Sequence, residues 1–191
     1  MRLFVGVEIG QAAAAAGDLV AELRRRCGRL APRARVTWVA PSRMHVTLAF
    51  IGDADDAQVA AVEAVLREPL PVAPFDLGLG RLGAFPVRGA PRVLWVGVAP
   101  GGEALVAIER HVRARLASAG LSLEDRAFTP HVTLGRVRQP AGLRPDALFE
   151  GLPTSFGRQT PVDGITLYES RLAPTGSVYV ARVRTPLRDP R

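Results

Sequence analysis

The sequence predicts an α+β fold: a bilobal, duplicated chain with two mainly antiparallel sheets, flanking helices and a central cleft. Three observations predict it. The tetrapeptide His-Val-Thr-Leu occurs twice, at residues 45–48 and 131–134. Each copy follows a strand and then a helix, with Arg2 opening the first strand 43 residues before His45 and Arg92 opening its counterpart 39 residues before His131. Each copy is then followed by a further pair of apolar strands. A given His is followed by Val-Thr-Leu by chance roughly once in two thousand times. Two of only three histidines are spent on this motif, 86 residues apart, which marks an internal repeat. We expect one domain over residues 1–191, repeated as about 1–90 and 91–191, with lobes that share strands and do not fold separately.

The elements are predicted in order. Leu3–Ile9 is apolar and β-prone. Gln11–Leu30 is helical: an alanine run opens it, and Leu19, Val20, Leu23 and Leu30 give an approximate apolar face. Val36–Val39 is a short strand ended before Pro41, and Met44–Ile51 is a strong strand ending at Gly52-Asp53. Asp55–Arg67 reads as a helix, with Asp at its start, Val59, Val62, Val65 and Leu66 at helical spacing, and Pro69 after its end. Phe75–Phe85 and Arg92–Val98 are strands joined by the turn-rich segment 86–91. A helix follows over Glu103–Ala119, with Leu105, Ile108, Val112 and Leu116 on one face and Gly120 as its C-terminal cap. Phe128–Val137 is the second motif strand. Gly164–Leu172 and Ser177–Val183 form the last pair, turning at Pro174-Thr175-Gly176.

Composition narrows the function classes. The chain is 48% apolar and 23% charged, the profile of a soluble globular protein. No run approaches the ~18–20 apolar residues of a membrane span, so no membrane partner is expected. Glu8 interrupts the apolar start, which argues against a signal peptide. The single Cys27 can form neither an internal disulfide nor a thiolate cage, which fits a reducing cytoplasm. All 25 basic residues are Arg, a bias that codon usage in a GC-rich genome explains. The net charge of +7 is a separate matter, and favours a polyanionic or phosphorylated partner. Arginine's planar fork suits phosphate oxygens.

The motif carries the chemistry. Side chains alternate faces along a strand, so His and Thr share one face while Val and Leu share the other and can enter a core. Two lobes facing each other would bring two imidazoles and two hydroxyls to one cleft, a lining suited to a phosphoryl group. In-line displacement at phosphorus needs a base on the attacking oxygen and an acid on the leaving oxygen, and two opposed histidines meet that need. Imidazole titrates near pH 6.5, so one neutral and one protonated copy can coexist. The Thr hydroxyls can donate to the non-bridging oxygens. A metal site would want three or four ligands at short spacings such as His-x-x-x-His; none is present, and neither metal nor cofactor is expected. His111, beside Arg110 on the helix 103–119, reads as a solvated or boundary residue.

Two His-x-Thr motifs in a duplicated chain of this length resemble the 2H (two-histidine) phosphoesterases. Within them the chain is similar to the bacterial and archaeal RNA 2′,3′-cyclic phosphodiesterases, historically called 2′-5′ RNA ligases. The likeness covers nearly the whole chain, including Arg2-Leu3-Phe4, the segments 44–52 and 128–136, and Ile165-Thr166-Leu167-Tyr168-Glu169-Ser170. It implies metal-independent opening of RNA 2′,3′-cyclic phosphate ends to 2′-phosphates, with 2′-5′ ligation as the reverse. It also implies His45 as the acid on the leaving 3′ oxygen, His131 as the base on water, and Thr47 and Thr133 as phosphate ligands. Arg136 matches the family's basic residue after the second motif, and its place on the strand fits a phosphate clamp; ordinary surface charge is the alternative. Phe50, one alternate-face step past Leu48, is a nucleobase-stacking candidate or a core residue. The implied partner is RNA with a cyclic phosphate end, tRNA fragments included, and the implied state a monomer. A phosphodiesterase of small cyclic nucleotides or 2′-5′ oligonucleotides, and a non-catalytic RNA-end-binding module, are the alternatives.

Overall fold

The computed structural model describes residues 1–124, 127–173 and 176–190. Its elements are β1 (Arg2–Glu8), α1 (Ala12–Leu30), β2 (Arg35–Trp38), a 3-10 turn (Pro41–Arg43), β3 (His45–Asp53), α2 (Asp56–Val65), β4 (Phe75–Phe85), β5 (Val93–Val98), α3 (Gly102–Ser118), β6 (His131–Gln139), α4 (Pro145–Phe149), β7 (Phe156–Val162), β8 (Gly164–Ala173) and β9 (Gly176–Pro186). The predicted strands and helices all appear. Of the predicted last turn, Pro174 and Thr175 lie outside the described residues.

Local chemistry explains the helices. In α1 the buried positions Ala12, Ala16, Leu19, Leu23 and Cys27 recur every three or four residues, a stripe one side chain wide. α2 starts in a reciprocal capping box: the Asp55 carboxylate accepts from the Gln58 backbone, and the Gln58 side chain accepts from the Asp55 backbone. α3 buries Leu105, Ile108, Val112 and Leu116, the predicted face. Gln11 offers α1 no side-chain cap. Thr160 supplies one from β7 instead: its hydroxyl accepts from the Ala12 amide (3.0 Å) and donates to the Ile9 carbonyl (2.9 Å).

The strands run β7-β4-β5-β6-β3-β1-β8-β9, with β2 also on β6, and every ladder among them is antiparallel. The two expected sheets are continuous with each other. β3 and β6 touch at a single register pair, Val46 with Val132, then diverge, and this seam is where the lobes meet. The order is palindromic in role about the seam. Each motif strand is flanked by the first strand of its own repeat, β1 or β5, and beyond it by a strand from the other repeat, β8 or β4. Helices are exchanged as well: α1 packs on β7, β4 and β6, and α3 packs on β3. One continuous apolar core results, from Leu3, Val5 and Val46 in one lobe to Leu94, Val96 and Val132 in the other.

Two elements, α4 and β7, carry no strong local signal. β7 contains Gly157 at φ +68° and Pro161, and Pro in a ladder is tolerated where the strand lies at an edge, as β7 does.

Candidate active site

The two motifs face each other across the seam. Because β3 and β6 are antiparallel with Val46 opposite Val132, His45 falls across from Thr133 and His131 across from Thr47. The histidines are therefore diagonal neighbours, with backbones on the order of 7–8 Å apart, enough to flank one phosphate. Val46 and Val132 are fully buried beneath them, as alternation requires.

Each imidazole is anchored in the same way. His45 Nδ1 lies 2.9 Å from the Arg43 carbonyl, and His131 Nδ1 lies 2.7 Å from the Thr129 carbonyl. A carbonyl only accepts, so Nδ1 carries a proton in both rings and Nε2 is left for the cleft. The anchor always comes from the residue two before the His, so the repeat reproduces the tautomer along with the side chain.

Aromatic rings fix the imidazole planes. Phe4 stacks on His45 at 4.7 Å, and Tyr179 meets it edge-on at 5.2 Å. Phe85 meets His131 edge-on at 5.2 Å, with Trp95 at 5.9 Å. Tyr168 stacks behind Phe4 and donates to Glu8 Oε1 at 2.6 Å. Burial and that bond hold the Tyr168 phenol well above its usual range, so it stays a donor. Phe4 and Tyr168 fall within the segments similar to the 2H phosphoesterases, whereas Phe85, Trp95 and Tyr179 carry no signal in the sequence beyond being aromatic in an aromatic-poor chain.

Gly6 makes room for this packing. It lies opposite Thr47, and a Cβ there would sit 3.2 Å from the Val46 carbonyl oxygen, 3.3 Å from His45 Cδ2 and 3.4 Å from Phe4 Cε2. The imidazole and the phenyl ring lie over a bare stretch of backbone.

Electrostatics follow from the setting. Burial is the largest influence on both histidines and holds both below their usual titration range. The anchoring carbonyls oppose it. The Arg136 guanidinium lowers both further, and His131 adds to the effect at His45. One arginine thus acts on both imidazoles.

Matching bulges turn Arg136 and Phe50 to the sheet face that carries the motif His and Thr. Val5 pairs with Ala49 and Gly6 with Thr47, which leaves Leu48 as an extra residue; Leu94 pairs with Gly135 and Trp95 with Thr133, which leaves Leu134 as one. Each bulge reverses the alternation, so Leu48-Ala49 and Leu134-Gly135 turn inward, and Phe50 and Arg136 come to the side of the motif His and Thr. Phe50 is 54% exposed, with the Arg2 guanidinium 5.0 Å from its ring centre, and is no core residue. His111 lies exposed on α3, away from this cluster. Among the described residues no three His, Cys, Asp or Glu side chains converge into a metal-binding group.

The chain resembles proteins of known kind. It is 31% identical to the RNA 2′,3′-cyclic phosphodiesterase of Archaeoglobus fulgidus over 179 residues, 94% of this chain and 96% of that protein. It is 39% identical to the protein of the same name from Aeropyrum pernix over 143 residues, 74% of this chain and 80% of that one. The crystal structure of TT0787 of Thermus thermophilus superposes with a TM-score of 0.71 at 28% identity, covering 99% of both chains. E. coli LigT in its apo form shares the fold, with a TM-score of 0.69 at 24% identity over 97% of this chain and 96% of that one. The family profile of the 2′-5′ RNA ligase superfamily matches residues 11–173, and with the duplicated fold and paired motifs this places the chain in that superfamily.

Proposed function

We propose that the chain opens 2′,3′-cyclic phosphates at RNA ends to 2′-phosphates without a metal, using the two motif histidines as acid and base. The observation that carries this reading is the pair of Nδ1-anchored imidazoles, diagonal to each other and each across from the other motif's Thr. The relatives' shared name, RNA 2′,3′-cyclic phosphodiesterase, supports the substrate.

In the reaction, His131 Nε2 takes a proton from water as the water oxygen attacks phosphorus. The bond from phosphorus to the 3′ oxygen breaks, and His45 Nε2 gives that oxygen a proton. The products are a 2′-phosphomonoester and a free 3′-hydroxyl. Each positioned proton transfer contributes ~10²–10⁴ in rate. Both rings are pushed toward the neutral form in the free protein, which readies the base. The anionic phosphate, once bound between them, favours protonation of the ring that faces the leaving oxygen. Thr47 and Thr133 donate to the non-bridging oxygens, Arg136 balances the developing charge, and Phe50 stacks the terminal base above Arg2. The protein works as a cytoplasmic monomer on RNA fragments, tRNA fragments among them; the free, buried Cys27 fits that compartment. The test is phosphorus NMR of a cyclic-phosphate-ended oligoribonucleotide incubated with the protein in EDTA. A single 2′-monoester is expected. A 3′-monoester, or no turnover, contradicts the proposal.

A further inference from the structure

Beyond the histidine pair, β6 continues outward past its bulge, and a groove of about 460 Å³ runs between its far end and the approach to β5. Arg92, Val93, Arg136, Arg138 and Pro140 are among its lining residues, and no carboxylate is. Arg92, Arg136 and Arg138 are exposed, and among the described residues none of them forms an ion pair. Other arginines on this protein are engaged: Arg25 and Arg26 bind Glu22, Arg171 and Arg182 bind Glu169, and Arg184 binds Asp163. The groove thus gathers in one concave surface three guanidiniums that no carboxylate of the described residues pairs.

The groove lies further along the β5–β6 ladder that carries His131, and Arg136, one of its lining residues, also acts on both imidazoles. Arg136 and Arg138 share a strand face and are ~6.6–6.8 Å apart along it, about one nucleotide step of an extended chain. Thr37 lies opposite Arg136 on β2, and its hydroxyl accepts from Arg138 Nε at 3.4 Å, which orients the guanidinium. We propose that this groove is a track for the backbone phosphates of the RNA body behind the cyclic end, with Arg138 and Arg92 gripping phosphates the reaction does not touch. The proposal rests on the histidine pair as the reaction centre. Its consequence is specificity: the site favours polynucleotide ends over mononucleotides through contacts that carry no sequence information.

The test compares wild type, Arg92→Ala/Arg138→Ala, the matching double Lys variant, and Arg24→Ala/Arg29→Ala on the exposed face of α1 as a charge-matched control. Binding of a 3′-phosphate-ended oligoribonucleotide is followed by fluorescence anisotropy across salt, and binding of the corresponding mononucleotide by calorimetry. The double Ala variant is expected to lose roughly tenfold of the oligonucleotide-over-mononucleotide preference, with a salt slope shallower by about 0.7 per lost contact. The Lys variant keeps the slope, and the α1 control matches wild type. The track is overturned if the double Ala variant retains the wild-type preference, or loses no more than the α1 control. Binding is read without turnover, so failure of the proposed chemistry leaves this result decisive: a wild type that binds but does not cleave overturns the mechanism alone.

Discussion

Gly6→Ala tests how the fold positions its first imidazole. The new Cβ would meet the Val46 carbonyl, His45 Cδ2 and Phe4 Cε2 at 3.2–3.4 Å, where unstrained carbon contacts lie at ~3.5–4.0 Å. The imidazole must then yield by a few tenths of an ångström while Phe4 and the Nδ1 anchor resist. Stability should change little, because Ala in a strand recovers ~0.5–1 kcal/mol relative to Gly, which offsets crowding of similar size. A misplacement of about 1 Å can cost ~10² in rate, so a few tenths should lower kcat about three- to tenfold. Gly6→Val puts a branched side chain into the volume of the ring and should cost more than ~10² in kcat. The assay is kcat on a cyclic-phosphate-ended oligonucleotide, beside a thermal melt of the same preparation. A folded Gly6→Val variant with wild-type kcat would refute the claim that bare backbone at this position seats His45.

Further outcomes follow from the same geometry. Because both imidazoles are held below their usual range, kcat/KM should follow a bell with its maximum below pH 6.5, and Arg136→Gln should move both limbs to higher pH while lowering its height; limbs that stay in place would deny Arg136 its influence on the pair. The same depression makes the unfolded chain the better proton acceptor, so stability is fullest above about pH 6.5 and falls as pH drops through the folded-state values. Melts of His45→Gln/His131→Gln should show a shallower fall, and an equally steep one would contradict the linkage. Thr160→Val removes one partner of the Ala12 amide, which keeps its 2.8 Å bond to the Ile9 carbonyl, and should cost ~0.5–1.5 kcal/mol in denaturant unfolding, with kcat unchanged; no measurable loss would mean that the hydroxyl does not cap α1.

Much of this architecture is written locally. Apolar periodicity sets α1, α2 and α3, with a local capping box at α2, and the His-Val-Thr-Leu repeat sets the two motif strands and their inner and outer faces. What local pattern does not encode is which repeat receives each trailing strand. β4 pairs with β5 and β8 with β1, so long-range partners are chosen by the completed core. The phase reversal after each motif is equally hidden. Plain alternation sends Phe50 and Arg136 inward with Val46 and Val132, and only the extra residues Leu48 and Leu134 turn them to the face of the motif His and Thr. Gly135 is the available hint, since a lone Gly within a strand often marks a bulge; Ala49 offers none. The aromatic rings on the two histidines come from β1, β4, β5 and β9, and only the folded sheet brings them together.

If two anchored imidazoles share one reaction as acid and base, neither is dispensable. Separate His45→Ala and His131→Ala variants, assayed in EDTA on a cyclic-phosphate-ended RNA with folding verified by melts, test it most directly. Each should lose ~10²–10⁴ of the wild-type rate, and the double variant should lose far less than the product of the two. A folded single variant that turns over near the wild-type rate would rule out acid–base catalysis by this histidine pair.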